Sequence, residues 1–151
     1  MADSVQIRRA TAVDIPQIAG LFRAELAREP DIPKIASWVG QYPAVTACTP
    51  DGTLVGFCYS NSFAPDIIEL DNILVARTWR NQQIGARLLL AFEQCAAEHF
   101  KGIILVNSML YKTAGAKRPA VTFYLRHGYT VALQTEASCV FVKPLPARQE
   151  R

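Results

Sequence analysis

The chain has 151 residues, of which 50% are hydrophobic and 19% are charged. This length fits one domain with a substantial core, and the composition differs from that of disordered chains, which combine low hydrophobicity with high net charge. The formal net charge of +3 is too small, and too little clustered, for the dense basic face of a typical nucleic-acid-binding protein.

Strand and helix patterns alternate in the first half of the chain. Residues 5–9 alternate between apolar and polar types, which predicts a strand, and apolar residues at helical spacing predict a helix over 15–26. A looser segment between prolines then contains a short second helix. The Asp51-Gly52 pair predicts a hairpin turn. Strands are predicted on both sides of it, over 44–48 and 54–61, with a third over 67–75.

The second half begins with a long amphipathic helix. Apolar residues recur every three or four positions over 84–99, and the short apolar run over 103–106 is typical of a central strand. Pro119 and Gly128 suit the first and the following position of a short helix over 120–127. Two strands, predicted over 129–133 and 139–142, close the order β, α, α, β, β, β, α, β, α, β, β.

This order predicts a layered α/β (α+β) domain in which helices lie against one mixed, mostly antiparallel sheet. We expect a single domain over 1–146 and a short polar tail over 147–151. No apolar run reaches the roughly 18 residues of a membrane span, and the first residues lack a signal-peptide core, so a cytoplasmic protein is expected. The four cysteines form no CxxC pair, and neither a metal site nor a disulfide framework is predicted.

The turn before the long helix is the strongest candidate for a binding site. Its sequence is Arg80-Asn81-Gln82-Gln83-Ile84-Gly85-Ala86. The first turn of a helix has backbone N–H groups without internal partners and a partial positive charge, so an anionic pyrophosphate fits there. Gly85 has no Cβ to block a phosphate, and Arg80 and Arg87 can add charged donors. By itself, the segment is also typical of an ordinary helix start.

Residues 75–89, with the sequence VARTWRNQQIGARLL, resemble the acetyl-CoA-binding signature of the GNAT N-acetyltransferase family. The core of that signature is Gln or Arg, two residues, Gly, one residue, and Gly or Ala. Arg80 matches its start and Gly85 its end. The likeness covers nearly the whole chain: residues 54–57 resemble the family's third strand, and 120–129 resemble its late helix and Gly-aromatic turn.

The resemblance implies a sheet of six to seven strands with about four helices, in which the strands predicted at 67–75 and 103–106 separate in a V. The pantetheine arm of acetyl-CoA would enter the V like an added strand. A main-chain N–H near the end of the first of these strands would meet the thioester oxygen. The implied coenzyme-binding residues are Ile73, Leu74, Val75, Arg80, Asn81, Gln82, Gln83, Ile84, Gly85, Ala86 and Lys117.

Two residues depart from the family pattern. Gln83 stands where the family usually has glycine, so its side chain narrows the phosphate site, while its N–H remains available if its φ is negative. Lys117 stands where the late helix usually begins with an asparagine that bonds to the pantetheine arm. Together with Arg118, Lys117 can instead contact the coenzyme phosphates.

Acetyl transfer to an amine requires a base for the amine and a proton for the departing thiolate. Glu69 and Asp71 lie two residues apart on a strand, so they share a face near the opening of the V. Family members often carry a base at one of these positions; Glu69 is preferred here and Asp71 is second, with a solvated, ion-paired strand edge as the alternative. Tyr124 matches the family tyrosine that often protonates the thiolate, and its alternative is a core tyrosine. Asn107 and Ser108 can reach the same pocket.

The acceptor pocket has weaker candidates. Glu25, Glu69 or Asp71 can attract a cationic acceptor, and aromatic residues can line the space around it, although each aromatic is as typical of packing. These aromatic residues are Trp38, Tyr42, Tyr59, Phe63 and Tyr111.

The favoured function is direct transfer of an acetyl group from acetyl-CoA to an amine, with a small molecule preferred as the acceptor. A peptide or protein amine stays open, and so does a non-catalytic acyl-CoA-binding sensor or interaction module, which Gln83 and Lys117 favour. The predicted partners are acetyl-CoA and the amine, without nucleic acid, membrane or metal, and a homodimer is left open. Cys139 has no His and carboxylate arrangement that would make it a covalent nucleophile.

Overall fold

The computed structural model describes residues 2–109 and 120–146. Within them, seven strands form one sheet, and four α-helices lie against it. The strands are β1 (Gln6–Arg9), β2 (Ala44–Cys48), β3 (Leu54–Ala64), β4 (Ile67–Val75), β5 (Gly102–Ser108), β6 (Thr130–Gln134) and β7 (Ser138–Pro144). The helices are α1 (Ile15–Leu26), α2 (Ile32–Gln41), α3 (Ile84–Ala96) and α4 (Val121–Arg126). The predicted order of elements is confirmed.

The sheet has the order β1-β2-β3-β4-β5-β7-β6, and its neighbours are antiparallel except for β4 and β5, which are parallel. β4 and β5 pair only from Ile67 opposite Gly102 to Glu69 opposite Ile104. Beyond these pairs, β4 continues along β3 and β5 continues along β7, so the two strands separate. The mixed, mostly antiparallel sheet and its V-shaped opening agree with the sequence-based prediction.

Two element boundaries differ from the prediction by three residues, and the others differ by at most two. β3 runs to Ala64 because its more exposed end still pairs with β4, although its sequence no longer alternates in a strand-like way. The long helix ends at Ala96 and not at His99, since the N–H groups of His99 and Phe100 both turn back to the Ala96 carbonyl, at 3.1 and 2.8 Å.

Helices cover both faces of the sheet. α1 and α2 pack with Phe57 and Leu74 in one cluster, while the apolar face of α3 packs on the other side. α3 lies very close to β3 at Gly56, where an added Cβ would be 2.9 Å from Leu88 Cδ1 and 3.1 Å from the Leu74 carbonyl oxygen. A larger residue at position 56 would therefore shift Leu88 or the β4 backbone, so glycine favours this close contact, which brings the start of α3 beside the end of β4.

A partly buried polar cluster fixes the C-terminal part of the fold to α3. Glu93 of α3 accepts a hydrogen bond from the Tyr129 hydroxyl at 2.8 Å and two from the Lys143 ammonium at 3.1 Å. Lys143 also donates to the His127 carbonyl at 2.7 Å. Burial and the nearby Glu93 carboxylate raise the pKa of Tyr129, which therefore stays protonated and donates. These contacts position α4, which ends three residues before Tyr129.

Candidate active site

The separating strands enclose a cleft with a volume of about 710 Å³. Residues 70–75 of β4 line one wall, and residues 105–108 of β5 line the other. The remaining lining comes from the end of α1, the turn before α3, and α4: Leu26, Arg28, Arg80, Gly85, Ala120, Phe123 and Tyr124.

The β4 wall presents backbone groups to the cleft. The Ala76 N–H points toward β3, where it donates to the Val55 carbonyl at 2.8 Å. Because the backbone groups of successive residues in a strand point to alternate sides, those of Ile73 and Val75 point away from β3 and toward the cleft. Arg80 Nε donates to the Val75 carbonyl at 3.1 Å, which is consistent with that direction. An extended ligand with amide groups can therefore hydrogen-bond along this open strand edge.

The turn before α3 concentrates backbone donors. Asn81 and Gln83 have φ values of 62° and 68°, and α3 begins directly after them. In the described part of the chain, the N–H groups of residues 81–86 have no backbone acceptor, and the first helical bond runs from the Arg87 N–H to the Gln83 carbonyl at 3.1 Å. Consecutive N–H groups in such left-handed turns form a concave anion site.

Gln83 corrects one sequence-based expectation. We expected a negative φ at this residue, which would leave its N–H available to a phosphate. The residue instead lies in the left-handed region, with a φ of 68°. Glycine suits that region because it has no Cβ to approach the following carbonyl oxygen, whereas another residue costs roughly 1–2 kcal/mol there. The glutamine thus makes the turn less stable while leaving its backbone path intact.

Gly85 lines the cleft without being required by packing. A Cβ built at this position would be 3.7 Å from the Phe123 ring and 3.8 Å from Val75 Cγ2, which are ordinary contacts. The protein itself would accept a methyl group there. The lack of a side chain at Gly85 therefore leaves space for a ligand in the cleft.

A glutamate that the sequence analysis assigned to the acceptor side instead holds this turn in place. Glu25 of α1 accepts the Arg77 N–H at 2.7 Å and the Arg80 guanidinium at 3.1 Å, and its side chain is only 9% exposed. The sequence did carry a signal, because Glu25 falls on the same helical face as the buried Ile18 and Phe22. A charged residue at a core-facing position usually has a specific partner.

The two arginines proposed as phosphate donors have different surroundings. Arg80 lines the cleft, with its guanidinium held by Glu25 and by the Val75 carbonyl. Arg87 points elsewhere: its guanidinium donates to the carbonyls of Ala2 and Val5 at 3.1 and 2.7 Å. Arg87 therefore fastens the start of the chain to α3.

Tyr124 lines the cleft from α4 and is 5% exposed. Its ring packs against Phe123, Tyr129 and Phe141, with ring centroids 5.3 to 5.7 Å apart. Burial raises the pKa of its hydroxyl further above the ordinary tyrosine range. The group is therefore protonated at neutral pH, as a proton donor must be before it acts.

Glu69 and Asp71 lie close together at the point where the strands separate. Asn61 Nδ2 donates to both, at 3.2 Å from Glu69 Oε1 and 3.4 Å from Asp71 Oδ1. Glu69 is still paired with β5, while Asp71 lies beyond that pairing and belongs to the cleft lining. Asp71 is also the extra residue of a β-bulge, since Leu70 and Asn72 pair with consecutive residues of β3.

The carboxyl of Asp71 has an altered affinity for protons. Its pKa is raised, first by burial of part of the group and then by the charge of Glu69, and the nearby cations Lys34 and Arg28 lower it less. The side chain retains solvent access. Asp71 therefore titrates above an ordinary aspartate, while remaining able to exchange protons with water.

Asn107 and Ser108 of β5 line the opposite wall, as expected. The Asn107 Nδ2 is buried and has no hydrogen-bond partner among the described residues. A buried donor without a partner is uncommon in folded proteins, and one in a cleft is suited to a ligand acceptor group. The predicted coenzyme contact Lys117, with Arg118, lies outside the described residues.

The proposed aromatic lining is placed differently. Tyr59 and Trp38 pack together in the core, with ring centroids 6.2 Å apart, while Phe63 is 56% exposed. With Tyr42, these residues lie outside the described lining of the cleft, and Tyr111 lies outside the described residues.

Two further properties concern metals and membranes. Within residues 2–109 and 120–146, no three His, Cys, Asp or Glu side chains come together as a metal site would require. No helix in the same residues is both long and apolar enough to span a membrane.

Comparisons with known proteins converge on one family. A family model described as an acetyltransferase (GNAT) domain matches residues 42–131. No curated protein sequence matches the chain.

Solved structures share the fold at low identity. A ribosomal-protein-alanine N-acetyltransferase from Escherichia coli is 18% identical, with a TM-score of 0.77 and 97% of each chain covered. An aminoglycoside 6'-acetyltransferase is 21% identical, with a TM-score of 0.78, covering 95% of this chain and 99% of its own. A phosphinothricin acetyltransferase from Sinorhizobium meliloti, in complex with AcCoA, is 18% identical, with a TM-score of 0.74, covering 94% of this chain and 89% of its own.

Proposed function

This chain belongs to the GNAT acetyltransferase family, and we propose that it transfers the acetyl group of acetyl-CoA to an amine that lies beside Asp71. The observation that carries this proposal is a single cleft that combines an open strand edge, a buried phenol and a carboxylate of raised pKa, with the donor-rich turn at Gly85. Each of these features matches one requirement of the reaction.

The cleft fits acetyl-CoA at two points. The backbone donors of residues 81–86 suit a pyrophosphate, and the space at Gly85 allows it to approach. The backbone groups of Ile73 and Val75 suit the amides of a pantetheine arm, and Asn107 can add a side-chain donor. The phosphinothricin acetyltransferase structure holds AcCoA in the same fold, which supports this choice of acyl donor.

The residues divide the chemistry between them. The amine nitrogen donates its lone pair to the thioester carbonyl carbon, a C–N bond forms, and the C–S bond breaks with its electron pair going to sulfur. Asp71 accepts the amine proton, directly or through a water, and Tyr124 protonates the sulfur and later regains a proton from solvent. One of the two backbone N–H groups that face the cleft, at Ile73 or Val75, stabilises the charge that develops on the carbonyl oxygen, and the other bonds to the pantetheine arm.

Asp71 is preferred to Glu69 as the base because only Asp71 lies in the cleft lining, whereas Glu69 is at the point where β4 and β5 still pair. Cys139 is buried, and burial raises the pKa of its thiol, so direct transfer is favoured over a covalent intermediate. Small-molecule acceptors are preferred. Peptide and protein amines are the alternative, because the structural neighbours include both kinds of enzyme.

The central experiment measures acetyl-CoA binding by calorimetry and thiol release with small amines and peptides. We expect saturable binding and turnover with at least one class of amine. Binding without turnover on any acceptor would indicate the non-catalytic acyl-CoA-binding module instead. Absence of binding would contradict both the acetyltransferase and the binding module.

The phosphate site is tested by Gly85→Glu with Gly85→Ala as its matched control. The glutamate places a negative charge where we place the pyrophosphate, so the Kd for acetyl-CoA should rise at least about tenfold. The alanine adds only a methyl group, for which the protein has space, so folding should be retained and the Kd should rise less. Equal Kd values for Gly85→Glu and the wild type would exclude this position as the phosphate site.

The base is tested by the pH dependence of kcat/KM for the amine. Asp71 acts when deprotonated, so the rate should rise with pH through its pKa, and that pKa lies above the ordinary aspartate range of about 4. With kcat/KM calculated for the unprotonated fraction of the amine, Asp71→Asn should remove this rise with pH and lower kcat/KM by about a hundredfold or more. Glu69→Gln should keep the rise of kcat/KM with pH and shift it to lower pH, because the negative charge that raises the pKa of Asp71 is lost. The reverse pattern would identify Glu69 as the base.

A further inference from the structure

A second charged group shares the cleft with Asp71. Arg28 follows α1 and lines the same space. Unlike Arg80, which is paired with Glu25, Arg28 has no carboxylate within ion-pair distance among the described residues. Lys34, at the start of α2, likewise has no such partner there.

Each of the two exposed cations lies beside an aromatic ring, which does not neutralise it. The chain leaves α1 through Ala27, whose φ of 52° is in the left-handed region, and this reversal places Arg28 over the Phe22 ring at 5.2 Å from the centroid. Lys34 lies over the Trp38 ring at the same distance. Aromatic faces attract cations but leave their hydrogen-bond donors available.

Among the described residues, charges of both signs act on Asp71. Glu69 and Asp71 supply two carboxylates, while Arg28 and Lys34 supply two cations that act on Asp71. A polycationic amine would be attracted by the first pair and repelled by the second. A neutral amine would make no use of Arg28, whose exposed guanidinium is then hydrated by water. A molecule with one amine and one anionic group matches both pairs.

We infer that the acceptor is an amine that also carries a carboxylate, a compound of the amino-acid class, whose nitrogen lies beside Asp71 and whose carboxylate pairs with Arg28. Lys34 adds attraction at longer range. The planar guanidinium of Arg28 matches a carboxylate through two parallel hydrogen bonds. This inference rests on the transferase activity proposed above, and the bonds that form and break are those already described.

The test compares amino acids with their primary amides. Glycine, β-alanine and 4-aminobutanoate are each compared with the matching amide at saturating acetyl-CoA, with rates corrected for the fraction of unprotonated amine. 1,4-Diaminobutane and a short peptide complete the set. We expect the amino acid with the highest kcat/KM to exceed its own primary amide in kcat/KM by about tenfold or more. Arg28→Gln should remove that preference by lowering the rate for the acid alone.

Controls separate this inference from the activity on which it rests. Arg23→Gln removes the same charge from α1 outside the cleft lining and should keep the preference for the acid. Turnover that is equal for acids and amides, or confined to the diamine or the peptide, would overturn the acceptor class and leave the transferase proposal standing. A loss of acetyl-CoA affinity in Arg28→Gln would assign Arg28 to the coenzyme and overturn the inference. No turnover with any acceptor would overturn both proposals.

Discussion

Replacing Tyr124 by phenylalanine is expected to lower kcat by about a hundredfold or more, with the Kd for acetyl-CoA changed by no more than about twofold. The substitution removes one hydroxyl and keeps the ring that packs against Phe123, Tyr129 and Phe141. The departing sulfur then loses the proton donor that we propose for it, while the proposed coenzyme contacts remain. Single-turnover kinetics and calorimetry measure the two quantities separately.

Tyr129→Phe is the matched control. It removes the same group from the neighbouring ring, but that hydroxyl donates to Glu93 and does not line the cleft. We expect it to lower the free energy of unfolding by about 1–3 kcal/mol and to leave kcat near the wild-type value. If Tyr124→Phe retained full turnover, or if both variants lost activity equally, Tyr124 would not be the proton donor.

Lys143→Met is expected to lower the free energy of unfolding by about 3 kcal/mol. Removing the ammonium leaves the Glu93 carboxylate, which is 12% exposed, without its cation, and also takes a donor from the His127 carbonyl. The cost falls at the lower end of the range for a broken buried pair because Lys143 itself is 24% exposed. Urea unfolding followed by circular dichroism measures the change.

Two other variants show whether the lost cation is the cause. Arg23→Met breaks the solvent-exposed pair with Glu29 and should cost less than about 1 kcal/mol. Adding Glu93→Gln to Lys143→Met removes the uncompensated charge and should recover part of the loss. If the double variant were less stable than Lys143→Met by the full cost of a second independent mutation, the charge explanation would be wrong.

The sequence predicted the framework of this site well because its signals are local. The amphipathic period of α3, the apolar run of β5 and the Asp51-Gly52 turn each follow from a few neighbouring residues, and each is confirmed. The opening between β4 and β5 came from the family resemblance. Periodicity alone shows where a strand lies, but not where two distant strands stop pairing.

The parts that the sequence did not predict depend on contacts between distant residues. The extra residue at Asp71 depends on how β4 pairs with β3, and no property of β4 alone reveals it. The left-handed φ of Gln83 contradicts the usual preference of glutamine and follows from the path between β4 and α3. Glu25 joins the turn across more than fifty residues of sequence, at Arg77 and Arg80.

The three residue pairs that join β4 to β5 give the cleft a structural role as well as a chemical one. Strands β1 to β4 and strands β5 to β7 form two blocks, which meet edge to edge only at those pairs and otherwise depend on the shared core beneath α3. A molecule bonded along the open edge of β4 takes the place of a missing strand and joins the blocks. Its binding then raises the free energy of unfolding of the domain, by about 2.7 kcal/mol when its concentration is a hundred times its Kd. In the binding mode proposed above, the acyl donor is a removable piece of the sheet, and each catalytic cycle alternately completes the sheet and reopens it.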